Sequence, residues 1–189
     1  MISKKLSIHN LSLQGISGII FGLLFLLFIF GLKYILESYT SGTEGFSLLP
    51  ISFFQIIAIV YIFIAIILLY LTVTIINKRR RRKIGLKGWS SNSKTIRILF
   101  LGFIIINGLA FAYFMNIGAL QMIIPTCLIL YGITAMLSHS KTNGNTKILG
   151  VLFMINGLLA YFYPSYSFIL MFIGFGGYHI LYGIFYTEN

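Results

Sequence analysis

A chain of 189 residues that is 58% hydrophobic, only 9% charged and +11 in formal net charge lies outside the composition of soluble globular proteins. Aspartate is absent and the only acids are Glu37, Glu44 and Glu188, so hydrolytic or acid–base chemistry, which needs a carboxylate or an oriented imidazole, lacks most of its usual parts. The lone cysteine, Cys127, excludes an internal disulfide.

About 20 apolar residues cross a bilayer core as a helix. Six stretches of that kind follow in chain order, over 15–36, 51–76, 98–115, 118–137, 148–163 and 166–186. They predict an all-α membrane protein of six transmembrane helices arranged as three hairpins. A cytoplasmic N-terminus (1–14) leads into the first hairpin (15–76), and a basic loop (77–97) leads into the second (98–137). A short loop (138–147) precedes the third hairpin and a short C-terminus (148–189). The first apolar run is longer than a signal-peptide core, and no small-x-small cleavage site follows it closely. It therefore reads as a retained helix.

Between the second and third stretches stands "KRRRRK": Lys78, Arg79, Arg80, Arg81, Arg82 and Lys83. With Lys4, Lys5, Lys87, Lys94, Arg97, Lys141 and Lys147, thirteen of the fourteen basic residues fall in connections on one side, and only Lys33 falls on the other. The positive-inside rule makes the basic side cytoplasmic. Both termini then lie there, as an even number of spans requires, in a multi-pass protein of the cell membrane. The run itself reads first as a topology signal. It also draws anionic lipid head groups, at about 1 kcal/mol per basic residue near the surface. A protein partner is the alternative. Nucleic acid is not expected, because the loop offers neither a folded basic surface nor aromatic stacking platforms. Trp89 fits an interfacial anchor.

The last four stretches repeat one another. "RILFLGFIIINGLAFAYF" (97–114) matches "KILGVLFMINGLLAYFY" (147–163) through Ile-Asn-Gly-Leu, and "LILYGITAM" (128–136) matches "HILYGIFY" (179–186). Asn107 precedes Tyr131 by 24 residues and Asn156 precedes Tyr182 by 26, a difference a longer turn at "YPSYS" would absorb. Two spans per unit give both copies one orientation, a parallel repeat. The first hairpin reads as a diverged third copy through "IIFGLL" (19–24) and "LLYLTV" (68–73). Gly18 with Gly22, and Gly108 with Ala112, are small-xxx-small pairs that let membrane helices approach closely.

The units "GVLFMINGLLAYFYPSYS…GFGGYHILYGI" resemble the hairpin repeat of HdeD-type acid-resistance membrane proteins, over about 98–186 and by extension 15–76. Pro164 stands where that family often carries a proline, whereas the 97–137 unit has none at its turn. The resemblance implies a six-span, stress-linked membrane protein and supplies no catalytic residue.

Polar groups at membrane depth need partners. Asn107 and Asn156 occupy matching repeat positions and read either as interhelical hydrogen-bonding groups or, with Thr126, as the lining of a path for a small neutral solute. His179 reads either as a neutral imidazole bonded to Tyr131, Tyr178 or Asn156, or as a pH sensor. Pro125 is expected to kink its helix. The scattered His9, His139 and His179 lack metal-ligand spacing, so no metal and no cofactor is expected. Three function classes follow. The first is a structural, stress-related or accessory membrane subunit, partnered by the bilayer and by a homo-oligomer or larger complex. The second is a channel or transporter for a small neutral solute. The third, an enzyme, is not expected.

Overall fold

In a computed structural model, the described residues (10–41, 51–85, 90–142 and 145–186) are almost wholly helical and include no strand. His9, Lys4, Lys5, Glu44, Lys87, Trp89 and Glu188 lie outside them. The helices are α1 (Ile16–Ser41), α2 (Ile51–Lys83), α3 (Ser91–Asn116), α4 (Ile123–Ser138), α5 (Thr146–Phe162), α6 (Ser167–Met171) and α7 (His179–Phe185). A π-helix, Phe172–Tyr178, makes α6 and α7 one continuous rod. Five helical segments are long and apolar enough to cross a membrane: Ile16–Ile35, Ile56–Lys83, Asn92–Asn116, Leu120–Lys141 and Pro164–Phe185. The Thr146–Phe162 helix is apolar but shorter. The chain has the make-up of a multi-pass membrane protein.

Several helix ends depart from the hydropathy pattern. α1 continues past its apolar run to Ser41, which puts Glu37 on the helix, 3.4 Å from Lys33 one turn earlier. α2 continues through "KRRRRK" to Lys83. Arg and Lys are good helix formers, and cations in a last turn complement the helix dipole, so loss of hydropathy there does not end the helix. The basic run is therefore helical and not part of a connection. α3 begins at Ser91, one residue after Ser90, whose side chain accepts from the Ser93 amide as an N-cap.

Pro125 does not fall in the interior of α4, where a kink would be expected: it is the third residue of that helix, directly after the 3-10 turn Leu120–Met122, and a first turn tolerates proline. Nor does a longer turn separate Asn156 from Tyr182. Tyr163 alone joins α5 to the 3-10 turn Pro164–Tyr166, whereas 117–119 join α3 to Leu120–Met122. The additional residues sit within the last helical rod, which carries the π-helical segment.

Close backbone contacts order the bundle. A methyl group added at Gly132 would sit 2.6 Å from the Gly150 carbonyl oxygen, and one at Gly150 equally close to that of Gly132. Only glycine at both positions lets α4 and α5 meet backbone to backbone. Gly22 similarly faces the Gly176 carbonyl, which brings the first helix against the last rod. Around this contact the core collects Ile29, Leu128, Tyr131, Leu149, Phe153, Ala160, Phe175 and Tyr182. α3 packs on α4 at the edge. Nothing lies within 4 Å of a methyl built at its Gly102 or Gly108.

Candidate functional site

The centre of the bundle is a histidine in an aromatic cage. His179 has no exposed surface. Its ring stands 4.8 Å from Phe21, 5.5 Å from Phe153, 5.5 Å from Tyr131 and 6.1 Å from Phe175, centroid to centroid. These are ordinary separations for interacting rings. Nδ1 lies 3.0 Å from the Phe175 carbonyl oxygen, and Nε2 lies 2.6 Å from the Tyr131 hydroxyl. A carbonyl can only accept, so Nδ1 carries the hydrogen; Nε2 then accepts from the Tyr131 O–H. Both nitrogens of a neutral imidazole are satisfied. Of the three partners open to His179 from the sequence, Tyr131 is the one it bonds. The Phe175 carbonyl belongs to the π-helix, a rare geometry that favours functional positions.

A second polar knot lies one turn away. Asn156 is buried, donates from Nδ2 to the Leu170 carbonyl at 3.1 Å and accepts from the Tyr178 hydroxyl at 3.0 Å. It ties α5 to α6 and to the π-helix. Asn107, its counterpart in the repeated motif, is half-buried and donates to the Phe103 carbonyl of its own helix at 2.8 Å. The two amides thus serve different partners.

A cavity of about 30 Å³ opens at the basic end of the bundle, room for about two water molecules. Ser12, Gln14, Ser138, Thr146 and Tyr182 line it, and it reaches inward to Tyr131. Asn107, Asn156 and Thr126 do not line this cavity. Cys127 is half-buried beside the core. Among the described residues no three His, Cys, Asp or Glu side chains cluster as metal ligands.

The basic run divides between two roles. Ala65, Leu69, Val73, Asn77 and Arg81 form one buried i,i+4 stripe along α2. This stripe meets a strap formed by residues 10–15. Asn77 donates to the Asn10 and Ser12 carbonyls at 3.3 and 2.7 Å, and Arg80 donates to the Gln14 carbonyl at 2.9 Å. The strap continues to α3, where the Asn10 amide donates to the Ser93 hydroxyl at 2.6 Å and that hydroxyl donates to Asn10 Oδ1. Ser17 closes it by donating to the Ser12 and Gln14 carbonyls. Lys78, Arg79, Arg82 and Lys83 are exposed. The strap escapes a hydropathy reading because Asn10, Ser12 and Gln14 alternate with Leu11 and Leu13 over only six residues. Its trace in the sequence is the four-residue spacing that carries Asn77 and Arg81 onto the apolar face of α2.

No protein-family model matches the chain, and neither a curated protein nor a solved structure matches it.

Proposed function

We propose that this chain is a six-span integral protein of the cell membrane, with both termini cytoplasmic, that acts as a structural or accessory subunit by assembling with further copies of itself. Five spanning helices and a shorter sixth, Thr146–Phe162, support the span count. Grouping of the basic residues at one end supports the orientation. The scarcity of carboxylates and the fully bonded state of His179 support a non-enzymatic role. The resemblance to HdeD-type repeats supports a stress-linked setting.

One observation carries the assembly reading: two copies of Ile-Asn-Gly-Leu stand in opposite environments. In α5, Asn156 bonds two other segments, and a methyl at Gly157 would meet Ile129 and Pro125 of α4. In α3, Asn107 bonds only its own helix, and Gly108 faces open space. An amide at membrane depth with unused bonding capacity favours a helix that supplies a partner, and a small-residue surface allows that helix to approach. A second copy supplies both. The test is subunit counting in native nanodiscs. Asn107→Leu combined with Gly108→Ile is expected to shift oligomer to monomer without unfolding it. A wild-type monomer, or an unchanged oligomer in the variant, would refute the reading.

A second reading, passage of a small neutral solute, is favoured by the cavity that reaches Tyr131. Phe153 and Phe175 pack around Tyr131 beyond it, so passage requires these rings to move. Solute flux into proteoliposomes, lost in Tyr131→Trp, is the corresponding test.

A further inference from the structure

The last turn and a half of α2 presents two chemically separate faces. Arg81 completes the buried stripe and Arg80 bonds the strap. At about 100° per residue, Lys78, Arg82, Arg79 and Lys83 fall in that angular order on an arc of about 140°, and all four are exposed. No described acid pairs with them, for the ion pair seen among the described residues is Lys33–Glu37 on α1. The chain as a whole has three acids against fourteen bases, so counter-charge must come from outside it.

The position of the arc along α2 matters as much as its charge. The apolar run 51–76 is about 39 Å of helix, enough to cross a hydrocarbon core of about 30 Å with some tilt. Lys78–Lys83 then covers about the next 8 Å, the depth of one head-group layer. An arc of four cations at that depth faces phosphate groups laterally, where a soluble partner has least access. We propose that Lys78, Arg79, Arg82 and Lys83 bind the phosphates of anionic phospholipids in the leaflet at the basic end, whereas Arg80, bonded to the strap, and Arg81, buried in the α2 stripe, take no part. This rests on the bilayer-spanning reading above, and it narrows lipid contact from six residues to four.

The test uses the full chain in nanodiscs of equal phosphatidylglycerol and phosphatidylcholine, with retained lipid measured by native mass spectrometry. Wild type is expected to retain phosphatidylglycerol over phosphatidylcholine by about tenfold. The quadruple variant Lys78→Gln, Arg79→Gln, Arg82→Gln, Lys83→Gln should fall to near-equal retention, with an unchanged unfolding midpoint in phosphatidylcholine alone. The double variant Arg80→Gln, Arg81→Gln should keep the enrichment and lose stability in either lipid. Enrichment that survives the quadruple change, or that is lost in a folded double variant, overturns the proposal. So does displacement of retained lipid by single-stranded RNA at physiological salt, which would assign the arc to nucleic acid. Wild type that enters the discs without enrichment overturns the lipid face alone. Wild type that fails to enter overturns the spanning reading with it.

Discussion

Replacing Tyr131 by Phe isolates one hydrogen bond at the centre of the bundle. The ring keeps its packing against Phe100, Phe103, Phe153 and Phe175, so the cavity term that dominates large-to-small substitutions is almost absent. What is lost is the donor to His179 Nε2, at 2.6 Å and fully buried. Leaving a buried acceptor unsatisfied costs about 1–3 kcal/mol, whereas hydrogen bonds measured within membranes average about 0.6 and reach about 1.7 kcal/mol. The aromatic cage around His179 leaves little room for a substitute partner, which places the expected loss near the upper membrane value, about 1.5 kcal/mol. Reversible unfolding in bicelles measures it, and a cycle with His179→Phe separates the bond from the general effect of each change. A coupling energy below about 0.3 kcal/mol would show that the pair contributes no specific bond and would refute the geometry-based argument.

Other expectations follow from the same contacts. Gly150→Ala drives a methyl into the Gly132 carbonyl and should destabilise by about 1–3 kcal/mol; Gly108→Ala, which meets nothing, should stay within about 0.5 kcal/mol for the isolated chain. Asn156→Leu removes the acceptor of Tyr178 and the donor to Leu170, at about 1 kcal/mol in the same unfolding assay, while Asn107→Leu leaves the monomer's stability unchanged. A sensor role for His179 requires that any acid-induced change in tryptophan fluorescence or stability vanish in His179→Gln; a response that persists there removes the role. Asn77→Leu releases the Asn10 and Ser12 carbonyls and should speed hydrogen exchange in residues 10–15 at least about tenfold, read by mass spectrometry, with α5 to α7 unaffected.

The long helices were legible because an apolar run of bilayer length has few alternatives. What hydropathy hid were the places where local chemistry and burial part company. Arg80 and Arg81 look the same as Arg79 and Arg82 in a charge count, yet helical phase turns one pair inward and the other outward. Asn107 and Asn156 share a motif but not a fate, since α5 lies between α4 and the last rod whereas α3 packs at the edge. The Tyr131–His179 bond spans 48 residues; the sequence could name its candidates but not choose among them. The π-helical Phe172–Tyr178 has no hydropathy signature, and its run of Gly174, Gly176 and Gly177 signals only that the backbone is free to deviate.

The contact between the first helix and the last rod also fixes an order of assembly. The approach of Gly22 to Gly176 cannot form until residue 176 has been made, nor that of Gly183 to Gly15 and Ile19 until residue 183 has. Until then α1 has its glycine face uncovered by the last rod, although the strap can already have fastened its base to α2 and α3. A chain cut short of α7 leaves this seam open, with the small-residue face of α1 uncovered where Gly183 would meet it.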